Sequence, residues 1–171
     1  MCFLSKVIIM NDILIRSNIQ CGDIGSVIFL HGKYAAIENG YDFTFEAYVA
    51  EPLSQFVLNQ NEREKIWLVE YNDQVSGSIA ICQNTNSVAQ LRWFILAPQL
   101  RGKKIGSKLL SAAISFAKKS GYSTVQLWTE SNLGLALGIY ENLGFKLTSS
   151  KTVELWGSER QEQSYTLELN T

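Results

Sequence analysis

The stretch Leu91–Leu110, LRWFILAPQLRGKKIGSKLL, limits the fold more than any other part of the chain. An apolar run ends at Ala97-Pro98, a basic turn with two glycines follows at Arg101–Gly106, and a helical pattern begins at once. In that pattern Ile105, Leu109, Leu110, Ala113, Ile114 and Ala117 fall on one face, with Lys103, Lys104, Lys108, Lys118 and Lys119 mostly on the other. The first N–H groups of a helix are unpaired and carry partial positive charge, so such a turn suits a pyrophosphate. Gly102 and Gly106 let the backbone approach phosphates with no Cβ in the way, and Arg101, Lys103 and Lys104 add charge. The spacing rules out a P-loop, because only three residues separate the glycines, and a dinucleotide fingerprint needs a third glycine. On this segment alone an ordinary strand–turn–helix link with solvated lysines stays open.

The flanking sequence predicts a mixed α/β single domain. Asp12–Ser17 reads as a first strand, and Gly22-Asp23 opens a helix with Asp23 as N-cap. Its apolar face runs from Ile24 through Val27, Ile28 and Leu30 to Tyr34 and Ala35, and Asn39-Gly40 ends it. A second helix starts after Asp42 with Phe45, Tyr48 and Val49 inward, kinked or divided at Pro52. The period then becomes that of strands: Ile66–Tyr71 and Gln74–Cys82 are joined by the turn signal Asn72-Asp73, and Ser87–Leu96 completes a meander. After the helix that begins at Ile105 come a strand at Thr124–Trp128 and a helix at Leu133–Leu143 closed by Gly144. Two last strands, Phe145–Val153 and Gln163–Leu169, flank a polar loop at Gly157–Gln161. The final strand is a candidate for pairing between subunits of a homodimer. Met1–Asn11 reads as a lead-in, disordered or extra to the domain, with Met10 a candidate true start; residues 12–171 form the domain.

Composition removes several classes of function. Fifteen basic residues against 16 acidic ones leave no field for nucleic acid or an anionic membrane surface. No apolar run approaches the roughly 18 residues of a membrane span. Cys2, Cys21 and Cys82 lie far apart with no Cys-x-x-Cys, so neither a thiolate metal cluster nor a disulfide framework is expected, and a cytoplasmic location is.

A second block, Val125–Phe145, VQLWTESNLGLALGIYENLGF, bears on the turn. With both blocks in view the chain resembles the GCN5-related N-acetyltransferase (GNAT) superfamily. The family's turn, Arg/Gln-x-x-Gly-x-Gly/Ala, is matched by Arg101–Gly106, with Lys104 in place of the first motif glycine. Its later signature, Ala-x-x-x-Tyr-x-x-x-Gly-Phe, is matched by Ala136, Tyr140, Gly144 and Phe145. Asn132 lies eight residues before the tyrosine rather than the usual seven, where Leu133 stands. More narrowly, HGKYAAIENGYDFTFEAYVAE and LWTESNLGLALGIY are similar to the acetyltransferase domain often fused behind a MarR-type regulator, for which this chain's length leaves no room.

The resemblance implies a GNAT-like, mostly antiparallel sheet flanked by about four helices, acetyl-CoA as donor, and a small-molecule or peptide amine as acceptor. It implies that the backbone around Phe94, Ile95 and Leu96 binds the pantetheine arm and that one N–H there polarises the thioester carbonyl. It further implies that Arg101, Gly102, Lys103, Lys104, Ile105, Gly106 and Ser107 wrap the pyrophosphate, with Asn132 and Ala136 as further contacts. Tyr140 would give the departing thiolate its proton, since a phenol with a pKa of roughly 10 still holds it at neutral pH.

The general base is not evident from the sequence: Gln90 stands near the family's glutamate, which leaves Glu38, Glu130, a water chain or a substrate that arrives already deprotonated. His31, Tyr34, Tyr41, Trp93 and Trp128 are candidates for the acceptor cleft, although core packing explains the aromatics equally well. Two other readings remain beside the enzyme: a non-catalytic acyl-CoA-binding domain, and a nucleotide-binding protein, disfavoured by the failed P-loop spacing.

Overall fold

The computed structural model describes residues 8–10 and 12–169. Eight strands form one sheet in the order β1-β2-β3-β4-β5-β6-β8-β7. They are β1 (Ile8–Met10), β2 (Ile13–Arg16), β3 (Lys65–Tyr71), β4 (Gln74–Gln83), β5 (Val88–Leu96), β6 (Thr124–Glu130), β7 (Lys146–Leu155) and β8 (Ser158–Glu168). Every pairing is antiparallel except β5 with β6. The expected GNAT-like mixed sheet is therefore present. The lead-in expected over 1–11 falls largely outside the described residues, but Ile8–Met10 pair with Ile13–Ile15.

Helices cover both faces. On one side lie α1 (Asp23–Leu30) and α3 (Thr44–Asn59), whose Val27, Phe45, Val49, Leu53 and Phe56 pack on Ile66, Leu68, Ala80 and Trp93. On the other lie α4 (Ile105–Lys119) and α5 (Gly134–Asn142), where Leu109, Leu110 and Ala113 cover Val69, Ile79, Ile81, Leu91, Val125 and Leu127. The apolar stripe read from Ile105 onward is the buried face of α4. Pro52 neither ends nor divides α3, which runs unbroken through it.

The first helical pair departs from regularity. After α1 the chain passes through a π-helical segment, His31–Ala36, into a last short helix, α2 (Ile37–Asn39). A five-residue hydrogen bond from Tyr41 N–H to Ala36 O (2.8 Å) closes it. Asp23 is not the N-cap expected from sequence. Gly22 holds that place with φ 94°, and Asp23 instead accepts from Gln20 N–H and pairs with Arg16. Arg16 also bonds Glu70 at 2.7 Å, which ties β2, α1 and β3 together in a buried cluster.

Two other expectations are corrected. Of the expected polar loop Gly157–Gln161, Ser158–Gln161 are strand: β7 and β8 form one long hairpin with Leu155 opposite Ser158, and Trp156-Gly157 alone make the turn, with φ 50° and 86°. Polar residues suit this hairpin because one of its faces is solvated. The final strand cannot pair between subunits, because β8 is bonded on both sides, to β6 and to β7.

Candidate active site

The site arises where β5 and β6 part. They pair in parallel only over Val88–Gln90 and Thr124–Gln126, and then diverge. Just beyond, β5 is bulged: Ser78 faces Ile95 while Ala80 faces Arg92, so Ile79 stands against two residues, Trp93 and Phe94. Trp93 carries φ 47°, unusual for a bulky residue, and the buried Ser78 hydroxyl holds it by donating to Trp93 O at 2.6 Å. The bulge turns β5 away from β6, and the backbone edge of Arg92–Leu96 facing β6 is left without a strand partner. A cavity of about 200 Å³ occupies the opening and is lined by both strands, α5 and the β7–β8 hairpin.

Tyr140 lines this cavity from α5. Its ring lies 6.5 Å from Phe94 and 5.8 Å from Phe145, and its hydroxyl makes no hydrogen bond with any described residue. Burial pushes the phenol well above its ordinary pKa, so it stays protonated. The predicted helix end fixes its position: Gly144 (φ 92°) reverses the chain, and Phe145 N–H closes back on Tyr140 O at 3.1 Å.

At the mouth, Arg101–Lys104 turn into α4. Lys108 N–H reaches Lys104 O, which leaves the N–H groups of Ile105, Gly106 and Ser107 as the unpaired start of the helix. Lys104 sits at φ 62°, the left-handed region where the family pattern has glycine. A Cβ on Gly106 would come 3.2 Å from Phe94 Cζ, so the glycine lets helix and strand approach closely. The bare helix start lies against Phe94, which also lines the cavity, so turn, helix start and unpaired strand edge adjoin in an arrangement that suits an extended chain ending in phosphates. Within it the Ile105 and Ile95 side chains are core, so only their backbones are free for a ligand. Leu96 O is already taken by Arg101 Nε at 2.9 Å.

The other residues expected at the site separate into two groups. His31, Trp93, Trp128 and Glu130 line the cavity. Glu38, Tyr34 and Asn132 do not. Glu38 bonds Arg101 at 3.0 Å on the surface, which removes it as a base facing the cavity. Tyr34 packs toward Leu30 and Ile95, and Asn132 is exposed in the turn before α5 while Leu133 takes the lining position. Ala136 packs into the core beneath the site.

His31 Nδ1 lies 2.9 Å from Val27 O, which can only accept, so Nδ1 carries the proton and Nε2 the lone pair. Burial, only partly offset by that bond, lowers its pKa to about 4, and the ring is neutral at pH 7.

Sequence reasoning missed Arg160. From β8 it bonds Glu130 Oε2 (3.2 Å), Asn39 O (3.3 Å) and Gly40 O (3.1 Å), and lies 4.3 Å over the Tyr41 ring. With Asp42 N–H donating to Trp156 O, it docks the hairpin tip on the loop after α2 and closes the acceptor end. The walls there are aromatic: Trp156 lies 4.7 Å from Tyr41, 4.8 Å from Phe45 and 5.1 Å from Tyr48. Those partners lie far apart in the chain, so only patterns in β7 and β8 could have hinted at them. Among the described residues no group of His, Cys, Asp or Glu could hold a metal, and no helix is long and apolar enough to cross a membrane.

A bulged strand splayed from a parallel neighbour, with a bare helix start at one end and a buried tyrosine at the other, defines an acyltransferase type of fold. The chain belongs to the acetyltransferase (GNAT) family, whose model matches residues 34–145. It is 34% identical over 83 residues to YjgM, an uncharacterized N-acetyltransferase of Escherichia coli strain K12, a match covering 47% of this chain and 50% of that protein. The chain spans about half the length of the curated relatives it matches. An acetyltransferase from Streptococcus agalactiae superposes with a TM-score of 0.74 at 21% identity, over 94% of this chain and 100% of that one. yncA of Salmonella typhimurium, solved with its cofactor acetyl-CoA, superposes with a TM-score of 0.70 at 19% identity, over 94% and 95%. At these identities the likeness to solved structures is one of fold.

Proposed function

We propose that this chain transfers an acetyl group from acetyl-CoA to a primary amine, and that Tyr140 is the general acid. The observation that carries the reading is the parting of β5 from β6, which opens the cavity at Phe94 and Tyr140, with the start of α4 packed against the same Phe94. Acetyl-CoA, when bound, supplies a thioester whose carbonyl carbon forms a C–N bond to a neutral amine as its C–S bond breaks. The unpaired N–H groups of Ile105–Ser107, with Lys103 and Lys104, take the phosphates. The β5 edge around Phe94 and Ile95 orients the arm and supplies an oxyanion donor.

Two proton movements then fall to side chains. An arriving ammonium gives one proton to a base, and Glu130, which lines the cavity with a buried oxygen bonded to no described residue, takes that role. Tyr140 Oη gives its proton to the sulfur and regains one from the new amide nitrogen, so the net release is the single proton passed to Glu130 and on to solvent. The likeness of 31–51 and 127–140 to domains fused behind MarR-type regulators belongs to this reading and alters none of its chemistry.

Calorimetric titration with acetyl-CoA tests it, on the wild type and on Gly106→Leu, whose side chain would push into Phe94. The expected result is wild-type binding that the substitution abolishes without lowering the unfolding temperature by more than a few degrees. No wild-type binding overturns the reading. Binding with no turnover of any amine would leave an acyl-CoA-binding module.

A further inference from the structure

Resting on that reading, the charges around the acceptor end narrow the amine. Two pairs there are internally matched: Arg160 with Glu130 Oε2 at 3.2 Å, and Lys151 with Glu162 at 2.9 Å. One charged side chain and one carboxylate oxygen are left over. Glu130 is 6% exposed, and its Oε1 is buried without a hydrogen bond to any described residue, although the Tyr41 hydroxyl stands close enough to interact with the carboxylate. Arg92 lines the same cavity, and its guanidinium lies 4.9 Å over the Trp93 ring with no hydrogen bond or ion pair to any described residue.

These leftovers face one opening. Gln90 and Gln126 are the last matched pair of β5 and β6, so Arg92, Trp128 and Glu130 follow on the same sheet face, on either side of the gap. A buried carboxylate oxygen without a hydrogen bond is costly, and the half-buried Arg92 guanidinium lining the same cavity has no acceptor among the described residues. An acceptor that satisfies both carries an ammonium and an anion on one small body. The aromatic walls of Tyr41, Tyr48 and Trp156 suit an apolar remainder.

We infer that the cavity is an amino-acid site: Glu130 Oε1 receives the amine that is acetylated, and Arg92 holds the carboxylate of the same molecule. A polyamine offers nothing to Arg92 and brings a second positive charge toward it. A peptide N-terminus has an uncharged carbonyl where the carboxylate would be.

Titrations into protein saturated with coenzyme A test the inference with probes that share one body: L-phenylalanine, phenylalaninamide and phenethylamine. L-Leucine and L-methionine vary the side chain, and spermidine stands for polyamines. A carboxylated amine is expected to bind at least about tenfold more tightly than its amide or decarboxylated form, since a charge-assisted pair is at stake. Arg92→Gln should bring the carboxylated probe down to the level of the others and leave phenethylamine unchanged. Because phenethylamine serves as the internal control, a folding defect would show as a loss of all binding and of the acetyl-CoA titration. Arg92→Lys, which keeps the charge, should restore part of the preference. Equal or tighter binding of phenethylamine or spermidine by the wild type, failure of every carboxylated probe to bind, or a preference that survives Arg92→Gln would each overturn the inference. Acetyl-CoA binding in the same protein shows whether the acetyltransferase reading stands independently.

Discussion

Tyr140 and Lys104 show how much single residues decide in this site. A tyrosine held protonated by burial, with its hydroxyl making no hydrogen bond to any described residue, can give a proton to sulfur without first breaking one. Tyr140→Phe removes one oxygen and keeps the ring contacts with Phe94 and Phe145. Turnover is expected to fall by about 100-fold while acetyl-CoA affinity changes little. Thiol release measured beside calorimetry distinguishes the two effects, and unchanged turnover would remove Tyr140 from the chemistry. Lys104 has a different cost. A side chain at φ 62° is strained by about 1 kcal/mol, part of which glycine would give back as freedom in the unfolded chain. Lys104→Gly should therefore raise the melting temperature by about 1 to 3 °C. A fall would mean that the Lys104 side chain makes a contact worth more than the strain.

At the scale of elements, what could be read from the sequence depended on how local its cause is. The Arg101–Gly106 turn, the Asn72-Asp73 hairpin and the Gly144 helix end are set by neighbouring residues, and each forms where the residues point. The stripe on α4 was readable because a helix buries one face at a fixed period. The π segment at His31–Ala36 was not, since it inserts a residue into an otherwise ordinary apolar pattern. The bulge at Trp93 depends on Ser78 in the neighbouring strand, and the hairpin's docking depends on Arg160 reaching residues about 120 positions earlier. Glu38 looked suitable as a base only until Arg101 was seen to bond it. Arg160 carries an element-scale prediction. Arg160→Met should cost about 3 to 5 kcal/mol, because it takes the guanidinium partner from the buried Glu130 while releasing the hairpin tip. Adding Glu130→Gln should recover part of that loss in denaturant unfolding. If the single variant unfolds like the wild type, the hairpin is held by its aromatic contacts instead.

Across the whole molecule, two buried titratable groups on the α1 side make stability depend on pH in successive windows. His31 has an ordinary pKa of 6.5 and a folded value of about 4, because burial opposes its charged form. The unfolded chain therefore binds the proton first. Stability from this source is complete above pH 6.5 and falls as pH drops toward about 4, by up to about 1.4 kcal/mol per pH unit. Asp23 follows at lower pH. Burial alone would raise its pKa from 3.8, but the Arg16 bonds, the Gln20 N–H and the Arg16 charge outweigh burial and hold it below that value. Its contribution is present above pH 3.8 and is lost as pH falls through the depressed folded value. Thermal unfolding between pH 8 and pH 3 should thus begin to weaken near the ordinary histidine value, well before the Arg16–Asp23–Glu70 cluster is protonated. His31→Gln keeps a donor for Val27 O and removes the titration, so its curve should stay flat down to about pH 4 and then join the wild-type decline. A wild-type slope retained in that variant would mean that the acid sensitivity arises elsewhere, and that the π segment keeps His31 accessible enough to be protonated in the folded state.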